Sequence, residues 1–213
     1  VSKRRFFDLV GEIDSLLLGE PNDESRISRL YELIRDDALR RYFFDKLNNP
    51  DWIQPLRLKG FFQNPPAAGL WPESRYLARM ASLKPGEVLE IILSMPDTDK
   101  GWVNEDLADA ALSMPPEFSA RLTGKAEKWA QSAYSPLLSK KLGSLMANLA
   151  RGGQVNEALG LARALLEVLP GARMESESEM EGIQLGPPAP TTRIETWDYE
   201  QILKKDFPDL LKA

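Results

Sequence analysis

Apolar residues recur along this chain at i, i+3, i+4 and i+7, with no convincing run of strict alternation. That spacing is the signature of helices that bury one face. Phe6, Leu9, Val10, Ile13, Leu16 and Leu17 line a first helix. Ile27, Leu30, Leu33 and Ile34 line a second, opened by Asn22 or Asp23 as a cap after Pro21. Tyr42, Phe43 and Leu47 fall in a short third helix that stops at Asn48-Asn49-Pro50. Beyond it, Pro72, Pro85, Pro96, Pro115, Pro136 and Pro170 punctuate the chain. Proline lacks an N–H and clashes with the preceding turn, so it opens or ends helices. The segments between these marks predict helices near 73–83, 86–95, 103–113, 116–122, 125–134, 137–151 and 155–169. In the last pair, Leu138, Leu142, Leu145 and Leu149 make one stripe. Gly152-Gly153 turns the chain, and Val155, Ala158, Leu159, Ala162, Leu166 and Leu169 make the next.

Two helix–turn–helix units repeat at an offset of thirty residues. Leu77, Ala78, Ala81, Pro85 and Glu87 match Leu107, Ala108, Ala111, Pro115 and Glu117. A period of this size in a helical chain predicts antiparallel hairpins stacked as an α-solenoid. Two segments break the pattern. Gly60 to Pro72, with Phe61, Phe62 and Trp71, reads as an ordered loop between helical pairs. Residues 171–192 carry Glu175, Glu177, Glu179 and Glu181, then Gly186-Pro187-Pro188-Ala189-Pro190, and read as an acidic, proline-rich mobile loop. The expected organisation is a helical-repeat domain over 1–170, this loop, and a C-terminal helical segment over 193–213 that docks on the same domain. Trp197, Tyr199, Ile202, Leu203 and Phe207 mark that last helix.

Within 142–170, Leu142, Leu145, Leu149, Gly153, Ala158 and Pro170 are spaced similarly to a tetratricopeptide unit. Leu149 and Ala162 stand where that pattern has aromatic residues, and the unit occurs once. The earlier hairpins, with irregular lengths and proline turns, more closely resemble HEAT-type repeats. Residues 42–52 and 59–62 also resemble helical-repeat regions of large bacterial proteins. The resemblance implies a HEAT/TPR-like scaffold or sensing region of a larger protein and carries over no catalytic residue. The Val at position 1 and the end at Ala213, just after Leu210 and Leu211, fit a piece of such a protein.

Composition sharpens the picture mainly by what is missing. The 213 residues include no His and no Cys. Imidazole bases, Ser-His-Asp triads, thiolate nucleophiles, disulfides and His- or Cys-ligated metals are excluded. Leu occurs 32 times and Ala 20 times, against 20 for Val, Ile and Thr together. That balance favours helix over strand. The net charge is −5, with acids and bases mixed along the chain. No block is basic enough for a phosphate backbone, so no nucleic-acid partner is expected. No apolar run reaches the ~20 residues that span a bilayer, and no secretory leader is legible. The expected location is cytoplasmic.

Four features could carry function. Trp52, Phe61, Phe62 and Trp71 are the densest aromatic cluster and the candidate partner-binding residues; their competing role is a core plug that pins the loop. Asp97-Thr98-Asp99-Lys100-Gly101 resembles the start of a calcium loop, but Trp102 and Ala108 occupy the required Gly and Glu positions. Glu105, Asp106 and Asp109 crowd the start of one helix, where acids suit the helix dipole and could also serve as acid and base. The acidic stretch 175–181 could dock a basic partner. The expected function is a non-catalytic protein–protein interaction scaffold or regulatory region, with no cofactor or metal. The alternatives are a carboxylate-based all-α hydrolase and an effector-sensing module of a nucleotide-driven switch.

Overall fold

The structure is a computed structural model that describes residues 3–19, 21, 23–65, 70–132, 134–167 and 200–212. Every regular element among the described residues is helical. In chain order these are α1 (Lys3–Leu17), α2 (Glu24–Leu33), α3 (Asp37–Lys46), α4 (Ile53–Leu58), α5 (Pro72–Met80) and α6 (Pro85–Ser94). There follow α7 (Gly101–Ser113), α8 (Pro116–Ser119), α9 (Thr123–Ala130), α10 (Ser135–Arg151), α11 (Val155–Leu166) and α12 (Phe207–Lys212). Short 3-10 turns lead from Pro50–Trp52 into α4 and from Ala120–Leu122 into α9, and a π turn, Ile202–Asp206, leads into α12.

Local chemistry explains the boundaries. Asp23 caps α2 by accepting from the N–H groups of Ser25 and Arg26, and Asp36 caps α3 through Ala38 and Leu39. Proline opens α5, α6 and α8 from within the first turn, where its missing N–H costs nothing. Two helices end on a glycine at positive φ, Gly60 at 80° and Gly153 at 77°. At the second, Gln154 N–H reaches Leu149 O and Gly153 N–H reaches Ala150 O. At the first, Phe61 N–H reaches Leu56 O and Gly60 N–H reaches Arg57 O. Both are Schellman turns, which need a residue without Cβ at the left-handed position.

Most helices pack on their second neighbours in sequence, and α7 packs on its third. In one row α1 meets α3, α3 meets α5, α5 meets α7, α7 meets α10, and α10 meets the π turn and α12. In the other, α4 meets α6, α6 meets α8, and α9 meets α11. The hairpin partners α1–α2, α5–α6, α7–α8 and α10–α11 also touch. One continuous apolar core runs from Ile13 to Leu210.

Three expectations need correction. Residues 53–58 form a helix that the apolar pattern does not mark, because six residues with a proline inside make too short a stripe. Leu159 is 52% exposed, although it was expected in the core. The buried face of α11 is instead Ala158, Leu161, Ala162, Ala164 and Leu165. This helix is apolar over more than one face, so periodicity alone selects the wrong register. The aromatic cluster expected to meet a partner is also internal, as described below. Residues 171–192 lie outside the described residues.

Candidate partner-binding surface

Trp52, Phe61, Phe62 and Trp71 are all buried, at 0%, 8%, 3% and 2% exposure. Phe61 sits edge-on to Tyr31 of α2 at 5.6 Å and to Phe44 of α3 at 6.0 Å. Phe62 stacks on Tyr76 of α5 at 6.4 Å, and Trp52 meets Phe43 edge-on at 6.1 Å. These rings plug the space between α2, α3 and α5 and offer no face to a partner. Their assignment as partner-binding residues is corrected on that ground.

The acidic candidates are spent on neighbouring helices. Asp97 accepts from Lys125 at 2.9 Å and Lys128 at 2.6 Å, and those two hydrogen bonds hold its carboxyl below the usual range. A carboxylate so paired is a brace between the turn before α7 and α9, not half of a calcium loop. Lys141 of α10 bridges Glu105 at 2.9 Å and Asp109 at 2.7 Å on α7. Asp106 faces the other way, toward α5, where its Oδ2 lies 2.5 Å from Ser74 Oγ. Ser74 Oγ also lies 2.7 Å from Trp71 O. A hydroxyl has one proton to give, so Trp71 O and Asp106 Oδ2 compete for it. Burial pushes the Asp106 carboxyl upward, against the pull of the Ser74 hydrogen bond. No group of three or more acids among the described residues could hold a metal ion.

Similar polar links cross the other helix joints. Tyr42 donates to Asp14 at 2.8 Å (α3 to α1), and Arg40 donates from Nε and Nη2 to Glu73 Oε1 (α3 to α5). Arg79 of α5 reaches the carbonyls of Phe44 and Leu47 at the end of α3. In the second row Gln54 bonds Glu87, Arg121 bonds Glu90, and Gln131 bonds Glu167. The partners in these links are 28 to 36 residues apart. Glu73 is the most constrained member: it is fully buried, its Oε2 has no partner, and burial pushes its carboxyl up against the pull of Arg40.

Large apolar side chains are open to solvent on several helices, among them Phe7 of α1, Leu58 of α4, Leu159 of α11 and Leu211 of α12, and a further group lies at the starts of α5, α7 and α10. Leu70, Trp102, Tyr134 and Leu137 are 44%, 61%, 44% and 42% exposed. Each stands at or near the N-terminal end of α5, α7 or α10, which pack side by side. The Tyr134 ring lies directly over Gly101, where an added Cβ would fall 2.7 Å from it. Leu70, Trp102 and Tyr134 follow one another at intervals of 32 residues. The apolar stripes legible in the sequence leave these residues out; only the equal spacing of Leu70, Trp102 and Tyr134 sets three of them apart. Two grooves also open between helices. One of about 430 Å³ between α9 and α11 is lined by Glu127, Lys128, Arg163 and Glu167. One of about 350 Å³ between α2 and α4 is lined by Ile27, Pro55 and Leu58.

Among the described residues the fold is all-helical, with solvent-facing apolar side chains on several helices. No protein-family model, curated protein or solved structure matches the chain.

Proposed function

We propose that the chain is a stacked array of helical hairpins, an α-solenoid of HEAT- and tetratricopeptide-like type, that serves as a non-catalytic protein-binding scaffold or regulatory region. The observation that carries this reading is the pitch of the cross-helix links. Hydrogen bonds and ion pairs join positions 28 to 36 residues apart at joint after joint. A chain whose every unit touches mainly its neighbours gains stability from serial interfaces and leaves long surfaces open for a partner. The acids that could do chemistry are instead braces between helices, which supports binding over turnover.

The test is affinity capture with the intact chain, then calorimetry with the purified partner. Arg41 and Lys140 are exposed on the α3–α5–α7–α10 row. The reading expects Arg41→Glu with Lys140→Glu to weaken binding about tenfold or more. Unchanged affinity would place the interaction off this row, and substrate turnover by the chain alone would replace the reading.

A further inference from the structure

The C-terminal segment meets α10 at a point where that helix has no side chain. Ile202 and Asp206, four residues apart in the π turn, supply the three atoms nearest to a Cβ built on Gly143, all within 3.4 Å. The Asp206 carboxylate therefore rests on bare helix backbone beside an aliphatic side chain. Asp206 is 6% exposed, and Ile202 and Leu210 on either side of it are buried too. We propose that Asp206 makes the π turn and α12 a pH-dependent cover over this face of α10, docked while its carboxyl is protonated and loosened as the carboxyl ionises.

Among the described residues no hydrogen bond or ion pair reaches the Asp206 carboxyl, because the cations around it are committed elsewhere or exposed. Arg151, at the end of α10, meets Asp209 at 3.6 Å, and Lys212 meets the same carboxylate at 4.0 Å. Lys204 is bonded to Glu200 at 2.7 Å. Lys141 of α10 is held by Glu105 and Asp109 of α7. Lys140 and Lys205 are exposed and pair with no described acid at salt-bridge distance. On α11, which packs on α12, Glu157 is half-buried and Arg163 lines the groove shared with α9. Neutral donors are spent as well. Ser139, one turn before Gly143, gives its hydroxyl to Pro136 O at 3.1 Å. The amides of the helix interior are consumed by its own carbonyls.

A carboxylate taken out of water without a partner is costly, and its protonated form is much less so. Burial accordingly pushes the Asp206 carboxyl up; Lys205 and Arg151 oppose the shift from a distance, and Asp209 adds to it. The docked segment thus holds the proton more tightly than the undocked one. Docking is fully favoured below the ordinary carboxylate range and weakens as pH climbs through the raised value. Undocking bares the α10 face that the π turn and α12 otherwise cover. This is a property of the joint and does not depend on what the array binds.

Amide hydrogen exchange of the intact chain, corrected for intrinsic rates, tests this from about pH 4 to about pH 7.5, a window that spans the titration of a raised carboxyl. Protection over 202–212, taken relative to the buried amides of α10, is expected to fall about threefold or more as pH rises. Asp206→Asn should keep the segment docked and remove the fall. Asp209→Asn, which takes away the partner of Arg151, should leave the fall in place. The Asp206 carboxyl carbon, followed by NMR in the unaltered chain, should titrate above the ordinary aspartate range; this reading decides the matter even if Asp206→Asn does not dock. Relative protection that stays constant across the window, a fall that α10 shares equally, a fall that persists in Asp206→Asn, or an Asp206 carboxyl that titrates in the ordinary range overturns the proposal.

Discussion

Glu73 shows how far one residue can be pressed by its surroundings. It lies in the first turn of α5 with its side chain out of water, one oxygen held by Arg40 and the other unpaired. Removing Arg40 would leave that carboxylate buried and alone, so Arg40→Ala is expected to cost about 3–5 kcal/mol in urea unfolding. Because the folded protein raises the Glu73 and Asp106 carboxyls, their linkage runs opposite to that of an ordinary paired acid. Their contribution is fully present below the ordinary carboxylate values and is lost as pH climbs through the raised ones. Stability measured from about pH 4.5 toward neutral should therefore carry a falling component that Glu73→Gln and Asp106→Asn together remove. A slope unchanged in the double variant would show that neither group titrates as described. Gly153 makes a simpler case. Its φ of 77° is costly for any Cβ, so Gly153→Ala should lose about 1–2 kcal/mol by thermal melting even though nothing crowds the site.

At the scale of elements, much of the molecule is legible in its apolar spacing. The helices read near 86–95, 103–113 and 137–151 appear as Pro85–Ser94, Gly101–Ser113 and Ser135–Arg151. Their ends are written in proline, aspartate and glycine, whose backbone effects are local and need no tertiary information. Two kinds of feature were not legible, for a shared reason. Which side of α11 is buried depends on where α9 and α10 lie, so Leu159 could not be told from Leu161. Whether an aromatic cluster plugs a core or meets a partner depends on what folds over it; Phe61 and Phe62 are covered by Tyr31, Phe44 and Tyr76 from three separate helices. The joint between α10 and the C-terminal segment rests on a similarly non-local fact. A Cβ on Gly143 would sit 2.7 Å from Asp206 Oδ2 and 3.2 Å from Ile202 Cγ1. Gly143→Ala should push the π turn and α12 away from α10 at a cost of about 1–3 kcal/mol. The readout is faster amide exchange over 202–212 with α1 to α3 unaffected.

At the scale of the whole molecule, the proposed serial stacking has a consequence for cooperativity. Links between neighbouring units bind a serial array by local interfaces, whereas a globular core is shared by all its elements. Leu145 lies fully buried in α10, toward one end of the rows. Leu145→Ala removes that packing at an expected cost of about 2–5 kcal/mol. Native-state hydrogen exchange on this variant is the most direct test. Serial stacking predicts that protection falls in α7 and α9 to α12 while α1 to α4 keep theirs. An equal loss of protection from α1 through α12 would contradict it.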